Sequence, residues 1–406
     1  MLLLDNPIQN YAWGSRTRLA ELMGRPPARE PEAELWIGAH PKSPSRSSDG
    51  RSLLEVIRAD PEGMLGVATE ERFGTELPFL LKVLAVEAPL SLQAHPNQAQ
   101  ARAGFAREEA AGIPLDARER TYKDPNHKPE LLCALTKFEA LSGFRTPEAI
   151  GALFATLGLA ELPLIRDLLQ ATSEAPLRAA FARLLTLAGE ERASVIQDVL
   201  SHAEQASVPA SPFQSSFIWA SKLGRAYPGD VGAIASLLLN HVTLEPLEAI
   251  YLGAGNLHAY LGGMGVEIMA NSDNVLRGGL TPKHVDIAEL LAVLRFESSA
   301  TGRTATHEAT PGEITYLSPS PEFRLTRLEL TGSEGITLGT TGPELLLCVE
   351  GQAQVQRVTP LSNGNEPLSV SPKRPLRKGQ ACFLPASFGS YRVQGSGRVF
   401  RATVGS

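Results

Sequence analysis

Ser91-Leu92-Gln93-Ala94-His95-Pro96 (SLQAHP, residues 91–96) is the stretch on which the reading of this chain turns. It lies between the apolar run PFLLKVLAV at 78–86 and NQAQARAGFAREEAA at 97–111, a helix-forming stretch after a Pro-Asn start. If 90–95 is a strand, side chains alternate between its faces and Gln93 and His95 project the same way. Two donors so placed can share one metal ion. A polar strand end before a proline turn is the plain alternative, and this segment by itself leaves both open.

Three more constellations carry chemistry. YKDPNHKPE at 122–130 packs polar and charged groups directly ahead of the apolar LLCAL. Charges entering a buried strand are costly unless paired or ligated, and Glu130 is the best placed of them. GAGNLHAY at 253–260 imitates a dinucleotide-binding fingerprint, but His258 stands where the last glycine belongs and a strand follows. A turn that delivers His258 onto a strand fits better. In EIMANSDNVLRGG at 267–279, Glu267 and Arg277 flank a Ser/Asp/Asn turn, and Arg277 before Gly-Gly can reach an anionic or carbonyl oxygen. Together Gln93, His95, Glu130 and His258 form a nitrogen and oxygen donor set without thiolate, which suits zinc and also manganese or iron.

Composition agrees with a thiolate-free site. The three cysteines, Cys133, Cys348 and Cys382, are scattered with no CxxC spacing. They point to a reducing cytoplasm. Asp5 interrupts the apolar N-terminus after four residues, so no signal peptide is expected. No apolar run approaches the roughly 18 residues of a membrane span. The formal net charge of −6 argues against a nucleic-acid grip. Gly 36 and Pro 30 in 406 residues modestly exceed the usual share and suit short strands with tight turns.

Along the chain, 1–145 reads mostly as strand and loop. At Thr146-Pro147-Glu148 an N-cap, a proline at the first helical position and an acidic first turn open a helix. Apolar Ile150, Leu153, Phe154 and Leu157 then follow a helical stripe. Several helices are expected over 146–207, more over 213–240, and another over 281–295 with Thr281 as cap. Strands are expected at 248–260, at 265–270 and, as short alternating segments, from 303 to the end.

These segments identify the chain as resembling the class I mannose-6-phosphate isomerases, a zinc-dependent cupin family. The resemblance rests on NPIQNYAWGS at 6–15, ELWIGAHPKSPS at 34–45, PFLLKVL at 78–84, SLQAHP, YKDPNHKPE, FEALSGFR at 138–145, YPGDVG at 227–232, LHAYLGG at 257–263 and SDNVLRGGLTPKHVD at 272–286. It implies a mainly β fold with an α-helical insert: two cupin-like jelly-roll β-barrels plus a helical domain. The catalytic barrel would comprise 1–145 and 241–302, the helical insertion 146–240, and a metal-free C-terminal barrel 303–406. It implies one Zn2+ per chain on Gln93, His95, Glu130 and His258. Arg277, Lys128 and Glu267 would be catalytic, with a zinc-associated water as another candidate base. Ser91, Lys82, Glu34, Trp13 and Tyr260 would line the sugar-phosphate pocket, with Ser91, Lys82 and Lys128 toward the phosphate.

The implied activity interconverts mannose 6-phosphate and fructose 6-phosphate through a cis-enediol. The implied setting is a cytoplasmic monomer in GDP-mannose biosynthesis, acting on a small sugar phosphate with neither nucleic acid nor membrane as partner. The competing reading is a metal cupin that is not an isomerase, either an iron dioxygenase or a sugar-binding protein.

Overall fold

The computed structural model describes residues 1–170, 176–208, 210–298, 302–358 and 371–405. Among the described residues it contains two antiparallel sheets and a set of helices. The expectation of a mainly β protein is corrected, because helix and strand hold comparable shares. No helix among the described residues is long and apolar enough to cross a membrane.

One sheet carries the site, and its central strand is His258–Ala270. The first half of that strand pairs with Leu92–Ala94 and Phe138–Phe144, and the second half with Phe79–Val86 and Glu130–Ala134. The change of partners falls at an irregularity between Tyr260 and Gly262. Gly263 follows with φ +129°, where a Cβ would meet the Lys137 and Phe138 backbone at 2.8 Å. A glycine there lets one continuous strand bend and serve two groups of neighbours. The two strands expected at 248–260 and 265–270 are therefore divided differently, as Ala249–Leu252 and the long His258–Ala270.

The other sheet is built from the C-terminal strands, chiefly Arg324–Gly339, Glu344–Arg357 and Ser390–Thr403. ELLLCVEG and QAQVQRV form one strand, because a bulge between Cys348 and Glu350 breaks the alternation without ending the pairing. The start of the chain is sewn into this sheet: Leu2–Asp5 pairs with Ala381–Leu384. One apolar core joins the two sheets, drawing Leu81, Val83, Leu131 and Ile268 from the first and Leu345, Leu347, Phe383 and Phe400 from the second.

Among the described residues, helices make up most of the segment from Pro147 to Leu238; 171–175, within the helical stretch expected over 146–207, lie outside the described residues. Thr146 caps the first by accepting from the Ala149 N–H, and its buried stripe is Ile150, Leu153 and Phe154. Two expectations fail. Residues 18–73 contain the short helices Arg18–Leu22, Leu53–Ala59, Pro61–Leu65 and Val67–Phe73. A reciprocal capping box between Ser52 and Glu55 starts the second of them. The helix expected from Thr281 begins only at Ile287, capped by Asp286. Leu280 at φ +56° and the bond from the Thr281 N–H to Asp230 hold 281–283 out of a helix.

Candidate active site

The register of three strands builds the floor of the site. His258 lies opposite Gln93, and Gln93 lies opposite Arg277 on its other side. Directly opposed residues in antiparallel strands share a face, so the three side chains form one row. A second row runs from Trp36 through Lys82 to Glu267, again by direct pairing. Glu130 opens its strand two residues further along, opposite Met269.

Above these rows is a cleft of about 610 Å³. Trp13, Glu34, Lys82, Ser91, Gln93, Lys128, Glu130, Tyr260, Glu267 and Arg277 all line it. His95 and His258 lie beneath, each 1% exposed, against Glu130. The residues singled out from the sequence are thus brought together at one place.

The two histidines and Glu130 offer ligand atoms within 4.8 Å of one another. His95 Nε2 is 3.3 Å from Glu130 Oε1, and His258 Nε2 is 3.5 Å from Oε2. His95 Nδ1 lies 2.7 Å from the Asn274 carbonyl, and His258 Nδ1 lies 3.0 Å from that of Asn256. A carbonyl can only accept, so each Nδ1 carries the proton and each Nε2 turns a lone pair to Glu130. Among the described residues neither Nε2 has a hydrogen-bond partner. Burial pushes His95 down to about 4, which keeps it neutral at pH 7. Burial would raise Glu130, but the Lys128 ammonium, 3.1 Å away, holds it well below the usual carboxylate range. Two imidazole lone pairs turned to one carboxylate are the environment of a cation.

The second row is an ionic chain. Lys82 lies 3.6 Å from Glu34 and 3.4 Å from Glu267, with its ammonium over the Trp36 ring. Burial raises Glu267 to about 7, helped by Glu130 and opposed by Lys82 and Lys128. Tyr260 donates its hydroxyl to Glu267 at 2.9 Å. Trp13 stands at the mouth, stacked on Tyr11.

Comparison with known proteins now decides the family. Residues 1–147 match the family described as phosphomannose isomerase type I, catalytic domain. The mannose-6-phosphate isomerase of Escherichia coli (strain K12) is 42% identical over 407 residues, covering 99% of both chains. The chain belongs to the type I mannose-6-phosphate isomerase family. The Homo sapiens enzyme of that name is 32% identical, across 95% of this chain and 93% of its own. A crystal structure described as zinc-bound mannose 6-phosphate isomerase superposes with a TM-score of 0.88 at 40% identity, over 100% of this chain and 99% of that one.

Several members of the isomerase-like cleft escaped sequence reading. Lys42, Lys123 and Lys283 line it, as do Tyr11 and Asp273. Each lies inside a segment quoted for the resemblance except Asp273's partner contacts, which only the fold reveals: Lys42 meets Asp273 at 2.7 Å across the cleft wall. Asn274 also escaped notice. It is fully buried, and its amide ties the 123–126 loop to the strand of Arg277 while its carbonyl orients His95.

Proposed function

We propose that this chain interconverts mannose 6-phosphate and fructose 6-phosphate, with one zinc ion held by Gln93, His95, Glu130 and His258. The observation that carries the reading is the pair of buried, unpartnered Nε2 lone pairs facing Glu130 at the foot of a cation-lined cleft. Zinc bound there would polarise and orient the sugar oxygens. The residues do the rest. The aldose gives up its C2 proton to a base, a cis-enediol forms, and a proton returns to C1. Glu267 is assigned that proton transfer, because a carboxyl near 7 can both take and return a proton at neutral pH. Tyr260 and Lys82 fix its two oxygens. Arg277 stabilises the negative charge that develops on the carbonyl oxygen.

The phosphate assignment moves away from Ser91, Lys82 and Lys128. Lys82, Lys128 and Lys42 all face carboxylates. Among the described residues Arg277, Lys123 and Lys283 line the cleft with no carboxylate partner, and Lys123 gives its ammonium to the Leu115 carbonyl. Burial lowers the pKa of all three, and Arg277 lowers those of Lys123 and Lys283 further. With Arg277 kept for the carbonyl oxygen, the phosphate falls to Lys283, where a dianion offsets both burial and the repulsion from Arg277.

The reading extends to architecture and setting. The proposed parts are a cupin-type barrel from 1–145 and 241–302, a helical insert at 146–240 and a metal-free cupin-type barrel at 303–406. Two antiparallel sheets with helices between their strands support it. A cytoplasmic monomer supplying mannose for GDP-mannose, with neither nucleic acid nor membrane as partner, agrees with three buried free cysteines and the net charge of −6. The deciding experiment is a coupled assay of mannose 6-phosphate conversion before and after chelation, with zinc added back. Activity indifferent to metal removal would overturn the zinc assignment. Oxygen uptake by an iron-loaded protein without isomerisation would favour the dioxygenase.

A further inference from the structure

The metal-free sheet reaches into the catalytic loop. Glu322 lies in the connection between the C-terminal strands Glu313–Tyr316 and Arg324–Gly339, far from the cleft in sequence. Its Oε1 lies 2.7 Å from His127 Nε2, and its Oε2 accepts from the Ser320 hydroxyl at 2.7 Å. His127 directly precedes Lys128, which faces Glu130. Lys128 and Glu130, two residues apart, line the cleft, and His127 between loop and sheet does not. Alternation along an extended segment sends His127 one way and Lys128 and Glu130 the other.

A second tether lies at the other end of the same strand. Tyr316, from the C-terminal sheet, donates its hydroxyl to the Leu247 carbonyl and receives the Cys133 thiol at 3.0 Å. The strand Glu130–Ala134 is thus held from behind at both ends by one short stretch, 316–322. Both Glu322 and His127 are largely shielded from water, with side-chain exposures of 13% and 23%. A hydrogen bond between such groups is stronger and more directional than one on an open surface.

We propose that Glu322 is a positioning residue: through His127 it sets where Lys128 and Glu130 stand, and so gives the metal-free sheet a part in the reaction. Glu322 touches neither substrate nor metal. It acts as outer-shell partners of metal sites do, by fixing the groups that make the direct contacts. The proposal rests on the isomerase reading above.

The test compares Glu322→Gln, His127→Gln and the double variant, using mannose 6-phosphate turnover and zinc release to a chromophoric chelator. Glu350→Gln, which removes a carboxylate that pairs with Arg398 elsewhere on the same sheet, is the control. Glu322→Gln is expected to lower kcat about tenfold and to hasten zinc release, with KM and the control variant unchanged within about twofold. The double variant should be no worse than the worse single, because both remove one contact.

Parent-like kcat and zinc release in Glu322→Gln would overturn the proposal. So would single effects that multiply, or an equal loss in the control. If Glu322→Gln does not accumulate, Glu322→Asp gives the same reading: it keeps the charge but draws it back, and parent-like turnover there is equally fatal. A parent protein without isomerase activity would instead defeat the reading on which the proposal rests.

Discussion

Replacing Lys82 by Met tests the ionic chain of the cleft wall and fixes its sign with pH. Lys82 is 6% exposed, between Glu34 at 9% and Glu267 at 3%. Burial would lower its pKa, but the two carboxylates outweigh burial and hold it above the ordinary lysine range. Met fills similar apolar volume and removes the charge. Breaking a buried ion pair from one side costs about 3–5 kcal/mol, because the partner carboxylates stay in place uncompensated. Glu267 escapes by taking up a proton.

Glu267 already stands at about 7, against an ordinary 4.5. Lys82 is the first of the cations holding it down, so the variant carries it above 7. A carboxyl with a raised folded-state pKa binds a proton that the unfolded chain has lost. Stability therefore falls as pH rises from 4.5 to the folded pKa, by about 1.4 kcal/mol per pH unit for one proton. In the parent that window closes near 7. In Lys82→Met it runs on, so the gap between variant and parent widens above pH 7. Thermal melting at pH 6 and pH 8.5 reads the effect. At about 2 °C or less per kcal/mol for a chain this long, the variant should melt several degrees lower at pH 8.5, and less so at pH 6. Equal melting of variant and parent at both values, or a larger deficit at pH 6, would refute the reasoning.

His258→Ala should weaken zinc binding by more than the roughly 10–100-fold typical of outer-shell changes, with turnover lost in parallel. Metal analysis after dialysis checks it, and retained stoichiometric zinc would remove His258 from the ligand set. Arg277→Ala should keep zinc and lose kcat by roughly 10²–10³-fold, the scale of one lost charge-stabilising donor. Lys283→Ala should raise KM for the phosphorylated sugar by roughly tenfold or more, as expected for a lost charge-assisted hydrogen bond, and steady-state kinetics would show it. With Glu267 as base, kcat/KM should fall about tenfold per pH unit below its pKa near 7, where the carboxyl is protonated. Glu267→Gln should abolish turnover, and an unchanged acid limb in any residual activity would reassign the base.

Much of this site was legible because short segments carry it. Gln93 lies on the short strand Leu92–Ala94 with His95 directly after it, and His258 and Arg277 fall opposite Gln93 by simple pairing. What sequence could not show is which strands pair. The row from Trp36 through Lys82 to Glu267 joins residues far apart in the chain, and no periodicity announces it. The short helices of 18–73 were missed because five to seven residues hold too few turns for an apolar stripe. The Ser52–Glu55 capping box was the available signal. The helix placed at Thr281 shows the opposite error. A sound Thr-Pro start signal was overruled by Asp230, which takes the Thr281 N–H.

The net charge of −6 and the anionic substrate proposed for the cleft are reconciled by how charges are paired within it. A count of lysines would place the phosphate beside Lys82 and Lys128, the two most deeply buried. Each of those already answers a carboxylate, so a phosphate arriving there would have to displace Glu267, Glu34 or Glu130 from its cation. Arg277, Lys123 and Lys283 have no carboxylate to displace. Burial holds their pKa values below ordinary, and that deficit is the attraction an incoming dianion would meet. The paired cations serve to hold the carboxylates ionised and in place. The unpaired ones leave room for substrate: Arg277 answers the carbonyl oxygen at the reacting end, and Lys283 is left for the phosphate at the other end.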